Sequence, residues 1–371
     1  MGWAVLWGAV PQLAFTRLRP LIVIGLMGLV DLLAMPELRP LVDLRPGWFL
    51  GTLCGLALCL LPAWSLVHWT LDDVHVGRRV TLQAVTFAGV ALVLLPAAIL
   101  SVTGSTWSAL FRWPGWSTGI LIQVLIILAL PGVLAAVEFA RHGGTPIPYD
   151  PPPRLVTRGP YAYVANPMQL SVALLLVAWG GWLTSAWVAA VGPAVWLYAV
   201  GLADWSEGRD LSGRFGGEWR RYRDNVRSWL PRWRPWISDG ATLYIAGDCE
   251  RCSELRRWFE RRTTCGLMIV QAELHPQRDL ERITYSAGNG LREEEGIQAL
   301  ARGLEHIHLG WAVVGWAMRL PIFTGILQLL VDSAGGEARR VRRRVVDRRK
   351  PEPRGAGEAC RHCDIESSLA N

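Results

Sequence analysis

Two cysteines spaced for redox chemistry stand in the run Asp248-Cys249-Glu250-Arg251-Cys252. The run follows a strand-like segment, TLYIA, and opens a helical pattern from about Ser253 to Arg262. In that setting a CxxC pair points to thiol–disulfide exchange. A helix N-terminus stabilises a thiolate, so Cys249 is expected to have a lowered pKa and to act as the nucleophile. Cys252, one turn later, is expected to be the resolving thiol. Asp248 fits either a proton acceptor or a helix cap. Two other uses of the pair remain open: plain structural thiols, or half of a zinc site. Cys360 and Cys363 in the tail sequence CRHC would complete the zinc site, with His362 as a spare ligand. The tail pair also reads as a second redox pair that exchanges with the first, or as a tail with no role.

The segment from Gly144 to Met168 is a second place for chemistry. Its prolines exclude a helix through it. It lies between apolar segments, so it is expected to be an ordered extended loop at a membrane interface. Such backbone must line a polar cavity or pack on protein, which makes the loop either a ligand site or a rigid connector. Other chemistry-bearing residues are less specific. His68, Asp72, Asp73 and His75 read as a hydrated interfacial loop or a metal site. Glu138, near the end of an apolar segment, reads as functional or as a snorkelling carboxylate. Cys54 and Cys59 read as packing residues. His306 and His308 carry no assigned role.

The elements that must position these residues are mostly apolar. Of 371 residues, 51% are hydrophobic and 19% charged, too apolar a balance for an ordinary soluble protein. Six apolar segments, roughly 20–35, 48–69, 80–100, 118–139, 168–183 and 185–202, predict a multi-pass α-helical membrane bundle of about six transmembrane helices. The first is short and contains Asp31. The last two read as a tight hairpin or as one helix kinked at Gly180-Gly181. The 20 Trp gather near segment ends, where the membrane interface and core packing compete for them. Residues 1–10 lack a basic region, and no small-residue cleavage site follows a short apolar stretch, so no cleavable signal peptide is expected.

Arg17, Arg19, Arg78, Arg79, Arg141, Arg154 and Arg158 fall on one side of such a bundle, against Arg39, Arg45 and Arg112 on the other. The richer side is expected to be cytoplasmic. This predicts a cell-membrane protein with both termini in the cytoplasm. Residues 204–236 are charged and Trp-rich and read as an amphipathic helix on the membrane surface. After a linker at Ser238-Asp239-Gly240, residues 241–336 read as a soluble α/β unit with a second strand in GLMIVQA and helices near 294–309 and 320–333. The expected division is 1–238, 239–350 and a disordered tail, 351–371. From Glu337 to Arg354 there are nine Lys or Arg and three acidic residues. That run suits anionic lipid headgroups and, without interleaved aromatics, not nucleic acid.

Two resemblances add to this reading. LVTRGPYAYVANPMQLS, preceded by GTPIPYDPP, is similar to the signature of the isoprenylcysteine carboxyl methyltransferase and phospholipid methyltransferase superfamily. Glu207-Gly208-Arg209-Asp210-Leu211, Phe215-Gly216, Glu218-Trp219, Tyr222 and Trp229-Leu230-Pro231 match that family's closing motif. The likeness covers about 118–236. It implies an S-adenosylmethionine site at the cytoplasmic mouth of the bundle and a lipophilic methyl acceptor entering from the bilayer. Its implied cofactor residues are Gly159, Tyr161, Tyr163, Asn166, Pro167 and Glu207. The chain departs from the family at Ala165, where an Arg is usual, and at Gly208, where a second Glu is usual.

Residues 241–344 resemble the DCC family of thiol–disulfide oxidoreductases, through LYIAGDCERC, Gly296-Ile297-Gln298-Ala299-Leu300, Leu320-Pro321 and the basic RRVRRR. That likeness implies a thioredoxin-like fold, with Cys249, Cys252 and Asp248 as catalytic residues acting on a protein disulfide or a small thiol. The combined expectation is a membrane methyltransferase fused to a cytoplasmic dithiol domain. The alternatives are a membrane-anchored oxidoreductase on a non-catalytic bundle, and a membrane scaffold or redox sensor.

Overall fold

A computed structural model describes residues 19–38, 44, 46–146, 150–288 and 293–343, with only the backbone of 202–204, 206 and 207. The tail cysteines and His362 lie outside the described residues. The chain forms two compact units, residues 1–89 with 143–152, and residues 90–142 with 153–371.

In the first unit, α1 (Pro20–Ala34) packs on α2 (Trp48–Leu71). Val23 and Met27 bury against Leu56, Leu60 and Trp64. Asp31 is buried on α1, and neither carboxylate oxygen has a hydrogen-bond partner. The next helix, α3 (Val76–Thr103), begins in this unit. Its first turns carry Arg79, fully buried and paired with Asp73 at 2.9 Å and Asp150 at 3.1 Å. A guanidinium out of water needs such partners, and the pairing staples the 143–152 segment to the start of α3. The metal alternative for His68, Asp72, Asp73 and His75 does not assemble among the described residues. His68 stacks on Trp64, Asp73 pairs with Arg79, and His75 meets the edge of Trp69. Cys54 and Cys59 are exposed rather than packed.

In the second unit α3 continues through a widened turn at Val90–Leu94, just before Pro96, whose ring removes a backbone donor. It is followed by α4 (Gly115–Arg141), α5 (Pro167–Trp182) and α6 (Ala186–Tyr198). The last two form a hairpin, not one kinked helix. Thr184 turns the chain at φ 50°, and Ser185 caps α6 by accepting from Val188 N–H. Glycines let the two backbones touch: a Cβ on Gly180 would lie 2.2 Å from Ala189 N, and one on Gly192 would lie 2.4 Å from Ala173 O.

Among the described residues, four helices are long and apolar enough to cross a membrane: Pro20–Leu38, Trp48–Leu71, Val76–Thr103 and Gly115–Arg141. A fifth is reached only by joining two later helices bent by 87°. The expected count of six is therefore not obtained. All six apolar segments are helical, but α5 and α6 have 16 and 13 residues, short of the ~20 a span requires. Pro167 starts α5 late, and the turn at Thr184 ends it before α6 begins.

Residues 204–236 do not form one amphipathic helix. They form α7 (Asp204–Phe215) and α8 (Gly217–Asn225), broken at Gly216 with φ 51°, and an irregular return. A four-stranded mixed sheet follows, built from β1 (Ala241–Ile245), β2 (Leu267–Gln271), β3 (Thr284–Ala287) and β4 (Glu294–Glu295), in the order β2-β1-β3-β4. β1 and β2 are parallel, while β3 runs antiparallel to both β1 and β4. The crossover helix α9 (Glu250–Glu260) joins β1 to β2. After β4 come α10 (Ile297–Leu304), α11 (Leu309–Met318) and α12 (Pro321–Val331). The alternation of buried and half-buried residues along β1 turns Leu243 and Ile245 into a core with Phe259, Tyr285, Ala299 and Leu304.

Candidate functional site

The parallel β1–α9–β2 crossover delivers the cysteines to the start of α9. Cys249 is the N-cap residue, extended at φ −109° and ψ 125°, and its Sγ accepts the Cys252 N–H at 3.4 Å. Asp248 precedes the cap and is exposed, so the cap is the nucleophile candidate itself. The Cys249 thiol is held below its ordinary value, chiefly by a hydrogen bond from the Cys252 side chain and then by that residue's backbone N–H. Burial pushes the half-buried Cys252 thiol up to about 12. Ionisation is thereby favoured at Cys249 and disfavoured at Cys252. Buried Glu273 fixes the loop before them, its two oxygens accepting from Gly247 N–H at 2.8 and 3.1 Å. Arg256 donates to the Ile245 and Ala246 carbonyls at 3.2 and 3.3 Å, and Arg251 donates to Ala334 O.

Residues 161–166 of the proline loop are held by partners further along the chain. Ala165 N–H donates to Arg227 O at 2.9 Å, Arg232 N–H to Tyr163 O at 2.9 Å, and Trp236 N–H to Ala162 O at 2.8 Å. Residues 226–236 thus run alongside 162–166. Tyr222 donates its hydroxyl to Tyr161 O at 2.9 Å, and Tyr163 donates to Glu305 O at 2.7 Å. Between this loop, α8 and the 236–239 turn lies a cavity of about 420 Å³. Arg154, Arg158 and Arg221 line it together with Glu218 and Asp239, and Phe215 and Trp236 supply aromatic walls.

Of the cofactor residues implied by the resemblance, Gly159, Tyr161, Tyr163, Asn166 and Pro167 do not line this cavity. Tyr161, Tyr163, Asn166 and Pro167 are buried in the framework of the loop, with Pro167 starting α5. Gly159 adopts φ 61°, and a Cβ there would lie 3.1 Å from Glu138 Cγ. Glu207 is on α7, with its side chain outside the description. Sequence reasoning missed the cavity's own charged lining. Arg158 and Glu218 were within the matched motifs and Arg154 just outside them, but nothing in their spacing marked them.

Glu138 does not snorkel. It is fully buried, and its Oε1 accepts from Arg302 at 2.7 Å and from Arg319 at 2.8 Å. Arg302 also pairs with Glu305 at 3.0 Å and Glu294 at 3.2 Å, and Arg319 with Glu305 at 2.6 Å. Arg141 closes the ring through Glu294. Three carboxylates and three guanidiniums balance, as a buried cluster must. Nearby, His306 Nδ1 lies 2.7 Å from Cys265 O and must therefore carry the proton, leaving Nε2 to accept from the Tyr285 hydroxyl at 2.9 Å.

Among the described residues, no group of three or more His, Cys, Asp or Glu is placed to hold a metal. No family model, curated protein or solved structure matches the chain.

Proposed function

We propose that the protein is a membrane-bound thiol–disulfide oxidoreductase whose dithiol sits in a thioredoxin-like unit. The observation that carries this reading is the split pair at the head of α9, with Cys249 capping the helix and Cys252 half-buried behind it. The order β1–α9–β2, then an antiparallel β3–β4 hairpin, then α10, is the arrangement a thioredoxin-like unit requires.

In the reducing direction, the Cys249 thiolate attacks a substrate disulfide, forming one S–S bond and breaking another. The departing substrate thiolate takes a proton from solvent. Cys252 then loses its proton and attacks Cys249 Sγ. The second substrate thiolate leaves, and the enzyme holds the new disulfide. Two electrons pass to the substrate. The raised Cys252 thiol keeps its proton until Cys249 is tied to substrate. The arginine excess argues for a cytoplasmic dithiol and cytoplasmic termini, in a multi-pass cell-membrane protein. The test is reduction of glutathione disulfide or insulin by the purified full chain. Wild type should turn over and Cys249→Ser should fall to background. Equal rates would overturn the reading.

The cavity favours a second activity, methyl transfer from S-adenosylmethionine to a lipophilic acceptor. Its residues fit the cofactor chemically: guanidiniums for the carboxylate, Glu218 and Asp239 for the ammonium or ribose hydroxyls, and Phe215 and Trp236 for the adenine. S-adenosylmethionine would supply the activated methyl, and the cavity would contribute positioning. Calorimetry with the full chain tests this. Saturable binding weakened by Glu218→Gln is expected, and no binding by wild type sinks it.

A further inference from the structure

Helix α12 is built inside out for a soluble unit. None of its 11 residues is buried. Ile322, Phe323, Ile326, Leu329 and Leu330 are between 51% and 75% exposed. Its polar side chains face the protein instead: Gln328 Oε1 accepts from Ile297 N–H at 3.0 Å, Thr324 donates to Met318 O at 2.6 Å, and Asp332 just beyond pairs with Arg282. A contiguous apolar face turned outward requires a nonaqueous partner.

The neighbours of α12 identify that partner. Helix α11 buries Ala312 and Trp316 against Leu134 of the candidate spanning helix α4. Leu134 is seven residues from the Arg141 end of α4, about 10 Å along the axis at 1.5 Å per residue. So α11 is anchored near one end of a span, at interfacial depth. It cannot itself be half of a span, because it is packed into protein: a Cβ on Gly315 would lie 2.5 Å from Ala301 O. From there α12 turns by 87°. At about 16 Å long it is too short to cross a ~30 Å hydrocarbon core. Its C-terminal end leads into the arginine run, where Arg339 and Arg342 are exposed.

We infer that α12 lies in the plane of the membrane interface, its apolar face in the acyl boundary and the following arginines on anionic headgroups. The contact of Arg251 with Ala334 O ties the first turn of α9 to the end of α12, so this docking holds the dithiol at the membrane surface.

The test places a benzophenone amino acid at Ile326 or Leu329 of the full chain, leaving every cysteine native, in nanodiscs of mixed phosphatidylcholine and phosphatidylglycerol. Irradiation should give phospholipid adducts at both sites, and none at Glu254 on the exposed face of α9. Phosphatidylglycerol should be over-represented among the adducts, and Arg339→Glu with Arg342→Glu should remove that preference. Adducts only to a second copy of the chain, or no adducts from protein that still elutes as a single species, would overturn the inference. The outcome is independent of turnover, so it stands or falls apart from the redox reading.

Discussion

At the scale of single residues, the pair at the head of α9 puts chemically identical side chains in two different environments. The Cys249 sulfur receives hydrogen bonds that favour the thiolate, whereas burial disfavours ionisation of Cys252. Two outcomes follow. Iodoacetamide should modify Cys249 with a pH midpoint below that of an ordinary thiol, and leave Cys252 unmodified until the pH approaches 12; mass spectrometry of peptides alkylated across a pH series reads both. Cys252→Ser should trap a mixed disulfide on Cys249, visible as a substrate adduct on a non-reducing gel, because the second attack has no thiol. The spacing and the strand-to-helix setting made the placement of the pair at a helix start legible in sequence. The cap was not legible, since either Asp248 or Cys249 could fill it and only the backbone angles decide.

At the scale of elements, what the sequence hid is what joins distant segments. Helical hairpin α5–α6 could be read because apolar runs and a one-residue joint are local. Strand β3 has only four residues and gains its place by pairing with β1. The partners of Glu138 lie at Arg302 and Arg319, beyond any local pattern. Because that cluster is buried, Glu138→Ala should leave two guanidiniums short of a partner and cost on the order of 3–5 kcal/mol, read as a lowered melting temperature in detergent. Glu138→Gln, which keeps an acceptor, should cost less.

The His306–Tyr285–Cys265 link makes a separate, pH-dependent contribution. Burial pushes the imidazole down to about 4 from an ordinary 6.5. Between those values the unfolded chain binds the proton and the folded chain does not. Stability is therefore complete above pH 6.5 and lost as the pH falls toward 4, by about 2 kcal/mol at pH 5. Thermal unfolding at pH 7 and pH 5 measures it, and His306→Gln should flatten the difference.

At the scale of the whole molecule, composition changes sharply near residue 238, yet packing runs across that point. The proline loop is held from the C-terminal side by Tyr163 on Glu305 O, by Trp236 on Ala162 O, and by the ion cluster on Glu138. Leu134, Ala162 and Tyr163 share one apolar cluster with Ala312 and Trp316. A chain ending at residue 238 would expose that cluster and leave Glu138 buried without its arginines. A chain beginning at residue 239 would expose Ala312 and Trp316 and strand Arg302 and Arg319. Each half should therefore be protease-sensitive alone, and the two should copurify when coexpressed, because the groups stranded on one half are the partners missing from the other. Copurification that survives Glu138→Ala combined with Leu134→Asp would show that the halves are joined by some other surface. Loss of copurification in that pair, with both halves still expressed, is the expected outcome. It would also explain how a dithiol unit stays fixed against the proline loop when only a short linker connects them in sequence.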